Sequence, residues 1–387
     1  MSLTPYLAAL PWLAVPVVIA WRMRGGPSLD RVPAAPPADP PLVSVIIPAR
    51  DEARNIARCA HSVLASAYPA LEVVVVNDRS EDGTGIIARE LARRDARLRV
   101  IDAPLLPPDW FGKQWACAAG AAEARGSVLC FTDADTVHGR ELLPRAVSEM
   151  RERSLDLLTV AGRQEMVGFW ERVVQPQVFT LLALRYGGPR AVNRSRRVVD
   201  KIANGQLLLF TRQAYDAVGG HAAVRGKVAE DLALAQRAFA LGLRTEVALG
   251  VRHLTTRMYT TLGEIVRGWM KNIYAGAHDA TPLGAPGRAL LPLMLLAPML
   301  AMLAPPVALV LAALGLVGSG VAMWALTATV VSLAWWALVY VGGARLSPAY
   351  AFAYPLGALV VVYIIVRAVA RGERVEWKGR EYVVARE

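Results

Sequence analysis

From Ala289 to Ala344 the chain carries no Asp, Glu, Lys, Arg or His, a run of 56 residues. After Arg345 a second uncharged run extends from Leu346 to Val366. A helix needs roughly 20 apolar residues to cross the hydrocarbon of a bilayer, so the C-terminal quarter reads as membrane-embedded. A shorter apolar run, Pro5 to Trp21, lies near the start. It has no Lys or Arg ahead of it and no small-residue cleavage pattern behind it, so it reads as a signal anchor rather than a cleaved leader. Arg22, Arg24 and Arg31 follow at once, which puts that end in the cytoplasm. The middle of the chain, about Pro41 to Arg288, is then a cytosolic domain.

Composition agrees with this division. Of 387 residues 55% are hydrophobic and 19% charged, against about 25% charged in a soluble domain. So much apolar surface excludes disorder for most of the chain. The net charge of +11 suits an anionic membrane surface. Nucleic acid fits less well, because the basic residues lie beside the apolar segments and no nucleic-acid motif is present. Cys59, Cys117 and Cys130 form neither a CxxC pair nor a zinc spacing and read as buried free thiols. Residues 25–41, with six prolines, read as a stiff extended linker. The tail holds Arg367, Arg371, Arg374, Lys378, Arg380 and Arg386 and so belongs inside. An even number of C-terminal crossings meets that rule. Pro305-Pro306 would break 289–317 into a hairpin or re-entrant pair, followed by full spans near 320–342 and 349–367.

The cytosolic part alternates strands and helices. Leu42–Pro48, Leu71–Asn77, Leu98–Asp102 and Ser127–Thr132 are short runs rich in β-branched or apolar residues. Glu52–Ala67, Glu81–Arg94 and Gln114–Arg125 have helical periodicity. This order predicts an α/β domain with a doubly wound, mainly parallel sheet, and ligands beyond the carboxyl ends of its strands. Pro48, Arg50, Asp51 and Glu52 follow the first strand, Asp78, Ser80 and Asp82 the second, and Asp133 and Asp135 the one at 127–132. One Asp-x-Asp is ordinary turn chemistry, and DRSEDGT alone is an Asx-turn ahead of a helix. Carboxylates at three strand ends repel one another unless donors or a cation offset them. Base and ribose hydroxyls are suitable donors, and Mg²⁺ or Mn²⁺ is a suitable oxygen-seeking cation. No GxxxxGK[ST] or GxGxxG is present. Glu230-Asp231 opens a further helix, as an acidic pair favoured by the helix dipole or as a general base. Lys113 and Arg257 are candidate clamps for a departing diphosphate.

VSVIIPARDEARNI, VVVVNDRSEDGT, FGKQWA, FTDADT, ANGQLLLF, GGH, AEDLAL and RMY occur in this order. Together they resemble a family 2 glycosyltransferase of the GT-A fold, from about Leu42 to Ala275. GFWE, ANGQ, RMY, GWMKN and WKGREY are similar to the membrane-anchored, lipid-modifying branch that includes carotenoid, hopanoid and ceramide glycosyltransferases. The resemblance implies that Asp51, Glu52 and Asp78 hold the uridine and ribose, with Ser80 and Asp82 supporting that loop. It places Pro48, Asn204 and Glu230 with the nucleotide-sugar-binding set and Lys113 at the diphosphate. Asp133 and Asp135 become the metal pair, Asp135 the more direct ligand, and Asp231 the catalytic base. Arg257 stands where processive synthases have the Arg of Gln-x-x-Arg-Trp, but Leu254-Thr255-Thr256-Arg257-Met258 lacks the Gln and Trp, which favours a single transfer. The implied reaction is inverting transfer of a hexose from a UDP-sugar to a hydroxyl of a membrane lipid. A polyprenyl-phosphate sugar synthase, a processive polysaccharide synthase and an inactive nucleotide-binding scaffold are the competing readings. The sequence gives no oligomeric state.

Six basic residues between Arg185 and Lys201 read as a flexible gate at a membrane surface or as a solvated loop, with Gly187-Gly188-Pro189 disfavouring helix. Leu262–Ala275 reads as an interfacial or core-packing amphipathic helix. His221 and His253 lack metal spacing and read as structural, with His253 placed to help at the diphosphate. The expected division is an anchor at 1–24, the linker at 25–41, a catalytic domain at 42–260, an interfacial helix and connector at 261–288, a membrane region at 289–368 and a cytosolic tail at 369–387.

Overall fold

The structure is a computed structural model that describes residues 3–279, 281, 284–371, 374–377 and 380–383. By its internal contacts the chain divides into two compact units.

The first unit takes in Gly25–Glu165 and Val192–Met258 and is built on a seven-stranded sheet. Its strands are β1 (Val43–Ala49), β2 (Leu71–Asn77), β3 (Leu98–Asp102), β4 (Val128–Phe131), β6 (Leu157–Ala161), β8 (Leu208–Thr211) and β9 (Thr245–Leu249), in the order β3-β2-β1-β4-β8-β6-β9. β5 (Thr136–His138), β10 (Leu254–Thr256) and β7 (Arg163–Gln164) form a separate small sheet in that order. β1 pairs in parallel with β2 and with β4, and β2 in parallel with β3, while β8 runs antiparallel between β4 and β6. The predicted α/β doubly wound sheet is therefore present. Its order runs outward from β1 in one direction and then restarts at β4 on the other side. That reversal opens a crevice at the carboxyl ends of β1 and β4.

The pleat of β1 divides the core. Val43, Val45 and Ile47 face one buried cluster, with Cys59, Val63 and Leu142; Ile46 faces the other, with Val76, Cys117 and Phe131. On that second face Gly120 lets the helix Gly112–Glu123 approach the sheet, since a Cβ there would sit 2.5 Å from Ile46 Cγ2. The predicted helix starts are displaced. Helix Ile56–Leu64 begins four residues after Glu52, because Asp51 takes a left-handed φ of 50° and the following residues turn. Helix Thr84–Arg94 begins after Gly83, whose φ of 90° suits glycine, and the Asp82 carboxylate receives the Thr84 N–H at 3.1 Å.

The proline-rich segment is not a free-standing spacer. Leu29 is fully buried, Leu249 N–H donates to Pro27 O, Ser148 Oγ to Ala35 O, and Arg151 to Asp39 O. Nor is 185–201 a featureless loop. Pro189–Arg194 is a short helix with proline at its first position, and Lys201 is buried with its ammonium on Val192 O at 3.0 Å and over the Phe239 ring.

The second unit takes in Met1–Arg24, Met166–Ala191 and Tyr259–Gly372. Among the described residues four helices are long and apolar enough to cross a membrane: Thr4–Met23, Pro286–Ala313, Ser319–Ala344 and Pro348–Arg371. This corrects the expected break at Pro305-Pro306, which lie inside one helix, Gly284–Ala313. Pro305 cannot donate to Ala301 O, and the indole N–H of Trp12 donates to that carbonyl at 3.2 Å instead. Three C-terminal candidate spans therefore replace the even number expected from charge. Helix Leu262–Asp279 buries Ile265 and Trp269 in a core with Val173, Val178 and Ile364, so the face offered to the bilayer interface packs on protein. Phe179 meets the Trp269 ring edge-on at 5.8 Å between centroids, whereas Phe169 is half exposed. In the tail Arg374–Trp377 pairs antiparallel with Arg380–Val383; Lys378 and Arg386 lie outside the described residues.

Candidate active site

The crevice at β1 and β4 holds a small, partly open cleft. Pro48 from β1, Asp133 after β4, Lys113 from the first turn of Gly112–Glu123, and Glu230 and Asp231 from the first turn of Glu230–Ala240 all line it. Lys113 Nζ lies 2.6 Å from Asp133 Oδ1 and 2.7 Å from Glu230 Oε1. Burial alone would lower the Lys113 pKa, but Asp133, Glu230 and Asp231 outweigh it and hold the ammonium well above its ordinary range. The cation is thus locked on between two loops.

Asp231 is anchored on both oxygens. Oδ2 accepts the Gly205 N–H at 2.7 Å and Oδ1 the Leu232 N–H at 2.8 Å. Burial and the neighbouring Glu230 push its pKa up to about 6, against the opposing pull of Lys113 and the two N–H donors. The Gly205 donor follows Asn204, whose side-chain Oδ1 accepts Gln206 N–H at 3.2 Å and whose Nδ2 donates to Gln206 Oε1 at 3.1 Å. Asn204 shapes the loop behind the carboxylate.

Asp135 is the strained member. Burial, then Asp133 and Glu52, raise its pKa well above the carboxylate range, and its Oδ1 is buried with no hydrogen-bond partner. Among the described residues no three His, Cys, Asp or Glu side chains converge as a closed metal site. The donor set fits a cation of another kind. A buried orphan carboxylate oxygen with a second carboxylate two residues away offers hard oxygen ligands and leaves other positions open, as Mg²⁺ and Mn²⁺ sites do when substrate phosphates complete them. Arg257 comes to this loop through its backbone, its N–H donating to Asp135 O at 3.4 Å.

The β1 and β2 ends form a second group. Asp51 Oδ1 accepts Glu81 N–H at 2.9 Å, and Asp51 N–H donates to Ser80 Oγ at 3.1 Å. Asp82 accepts Ala53 N–H at 3.0 Å, and Glu52 Oε2 accepts the Asn55 amide at 2.8 Å. Asp78 is buried and ion-paired with Arg79, whose φ is 53°. The expected residues therefore assemble along one sheet edge, with Asp51 and Asp82 knitting the two loops together. His253 sits as the structural residue it was read to be. Its Nε2 lies 3.1 Å from Asp30 Oδ1 in the packed proline-rich segment, away from the diphosphate role offered for it. Sequence reasoning missed Gly205 as an N–H donor and His221 as a residue lining the cleft. Nothing in the spacing of these residues signals a shared site.

Residues 44–219 match the sequence model of glycosyl transferase family 2. The 4,4'-diaponeurosporenoate glycosyltransferases of two Staphylococcus aureus strains are similar over 243 residues: 27% identical for strain MRSA252 and 26% for USA300. The match covers 62% of this chain and 63% of each relative. Among solved structures, a mannosyltransferase from Pyrobaculum calidifontis in complex with GDP-mannose and Mn²⁺ has the same fold, with a TM-score of 0.57 at 19% identity over 95% of this chain and 99% of that one. The doubly wound sheet is thus of the GT-A type, and residues 44–219 of the chain are similar to glycosyl transferase family 2.

Proposed function

We propose that the protein transfers a hexose from a nucleoside diphosphate sugar, a UDP-sugar by the reading of its loops, to a hydroxyl of a membrane lipid, with inversion at the anomeric carbon. One observation carries this reading: Asp231, a carboxylate with a pKa near 6, is held by two backbone N–H groups beside a lysine locked between Asp133 and Glu230. A general base works best when its pKa lies near the operating pH.

Asp231 would take the proton of the attacking hydroxyl as its oxygen bonds to the anomeric carbon and the sugar–phosphate bond breaks. Lys113 and Arg257 would offset charge developing on the leaving diphosphate. Asp133 and Asp135 would hold Mg²⁺ or Mn²⁺, which when bound neutralises diphosphate charge. Asp51, Glu52, Asp78, Ser80 and Asp82 would receive the base and ribose, with Pro48 at the cleft edge. The Pyrobaculum enzyme binds GDP-mannose, so GDP-sugars belong in any donor test. The staphylococcal relatives are named for a carotenoid acid acceptor, and the four candidate spans suit an apolar acceptor drawn from the bilayer. In this reading the catalytic domain faces the cytosol.

The test is transfer from labelled UDP- and GDP-sugars to a host lipid extract with Mg²⁺ or Mn²⁺, using the full chain and D231N. Label entering one lipid species, and lost in D231N, supports the reading. Full activity in D231N shifts the acceptor from a hydroxyl to an anionic oxygen, a phosphate carrier or a carboxylate, which needs no base. Ladders of longer products indicate a processive synthase, and no transfer at all refutes the enzyme reading.

A further inference from the structure

His221 lines the cleft with Lys113, Glu230 and Asp231, and none of the roles above uses it. It is 2% exposed and held on two sides. The Phe131 ring meets it edge-on, 4.7 Å between centroids. On another side the Tyr215 hydroxyl lies 2.8 Å from Nδ1, and the backbone N–H of His221 donates to that same Tyr215 oxygen at 3.2 Å.

These bonds decide the tautomer. The Tyr215 oxygen already accepts a backbone N–H, so its own proton points to Nδ1. Nδ1 is then an acceptor, and the ring proton sits on Nε2. Burial lowers the pKa of the ring to about 4, with Glu230 opposing and Lys113 assisting. Near neutral pH the cleft is therefore offered a neutral ring with one fixed N–H.

We propose that His221 is a specificity-determining residue whose Nε2–H donates to one hydroxyl of the sugar on the nucleotide donor. This rests on the glycosyl-transfer reading. Asp133 and Lys113 mark the end of the cleft suited to a diphosphate, and the sugar is bonded directly to that diphosphate. Glu230, in contact with Lys113, and His221 line the same cleft. A sugar hydroxyl both gives and receives a hydrogen bond. Glu230 can accept and His221 can donate. The other tautomer would present an acceptor there, so Tyr215 is the positioning residue that keeps the ring a donor.

The test uses the full-length protein in nanodiscs with UDP-glucose and its 2-, 3-, 4- and 6-deoxy analogues. Wild type is expected to discriminate against one analogue by about 10–100-fold in kcat/KM, the cost of leaving a buried donor unpaired. H221F keeps the ring against Phe131 and has no N–H. It is expected to lose about 10–100-fold on the intact sugar and to treat that analogue and the parent alike. H221Q, with an amide nitrogen near the ε position, recovers part of the loss, and Y215F falls between. H221F that keeps the discrimination, or that weakens all five donors equally, overturns the proposal. If wild type transfers no sugar, the transfer reading fails, and His221 is still read by calorimetric binding of the same five compounds with Mn²⁺. Loss of selectivity in H221F then supports the proposal and retained selectivity refutes it. A ¹⁵N-histidine spectrum checks the premise: His221 protonated on Nδ1 at pH 7 also overturns it.

Discussion

Replacing Lys113 by Met keeps most of the side-chain stem and removes the charge that two carboxylates share. Its ammonium lies 2.6 Å from Asp133 and 2.7 Å from Glu230, and its side chain is 23% exposed. Breaking a buried ion pair by removing one partner costs about 3–5 kcal/mol, because the other charge stays buried. Here two charges are stranded, which raises the figure, while water entering a partly open cleft lowers it. The expected cost of K113M is about 2–4 kcal/mol at pH 8. The sign of its pH dependence follows from two other carboxylates that feel the Lys113 charge. Asp231 titrates near 6 and Asp135 well above its usual range. Below pH 5 protons take over part of what Lys113 does, so the cost shrinks. The assay is urea unfolding of the full chain in detergent, followed by fluorescence. Trp110 and Trp115, in edge-on contact at 4.8 Å, report on the segment that carries Lys113. K113M/D133N should recover part of the loss, since one stranded charge is gone. A cost under about 1 kcal/mol, or one identical at pH 5 and pH 8, would refute the view that these carboxylates depend on Lys113.

Four further outcomes follow from the structure. Transfer by wild type should fall as pH drops through about 6, where Asp231 takes up a proton, and D231N should lower kcat by about 10²–10⁴-fold with nucleotide-sugar binding retained, measured by initial rates and calorimetry. D135N removes a buried charge with an orphan oxygen, so apo-protein Tm should rise or hold while Mn²⁺ binding weakens, read by thermal shift and metal titration. Burial and Glu149 hold Glu246 up near 7 despite Arg153. Its ionised form is therefore penalised in the fold, a cost absent at pH 4 and complete above 7. E246Q should accordingly gain about 1–3 kcal/mol relative to wild type between pH 5 and pH 8 by urea unfolding. G120A would put a methyl against Ile46 and should cost about 1–3 kcal/mol in the same assay, with no change in pH dependence.

The strands at 43–49, 71–77 and 128–131 were legible because each is a short apolar run buried on both faces of a sheet, and the edge strand at 98–102 because it is short and rich in branched apolar residues. The helix starts were misplaced because the loops after β1 and β2 are pinned by side chains of each other, Asp51 on Glu81 N–H and Asp82 on Ala53 N–H. Such pairing is non-local and leaves no periodicity. The Pro305-Pro306 break failed because Trp12, almost three hundred residues earlier, covers the freed carbonyl. The proline-rich segment was misread as a spacer because the partners that hold it, Ser148, Arg151 and Leu249, come from far along the chain.

What the sequence determined by itself is chemistry that depends on residue type and near neighbours: where charge is absent long enough for a membrane, where apolar runs become strands, and that carboxylates end three of them. Only the tertiary structure decided which of those groups meet. It joined Lys113 to Asp133 and Glu230, set Gly205 N–H on Asp231, left an Asp135 oxygen without a partner, and turned His221 into the cleft while His253 went to Asp30. Hydrogen bonds and ion pairs act over about 3 Å. Distances of that size between residues a hundred positions apart are fixed by the packing of the sheet and its helices and by nothing in the local order of the chain.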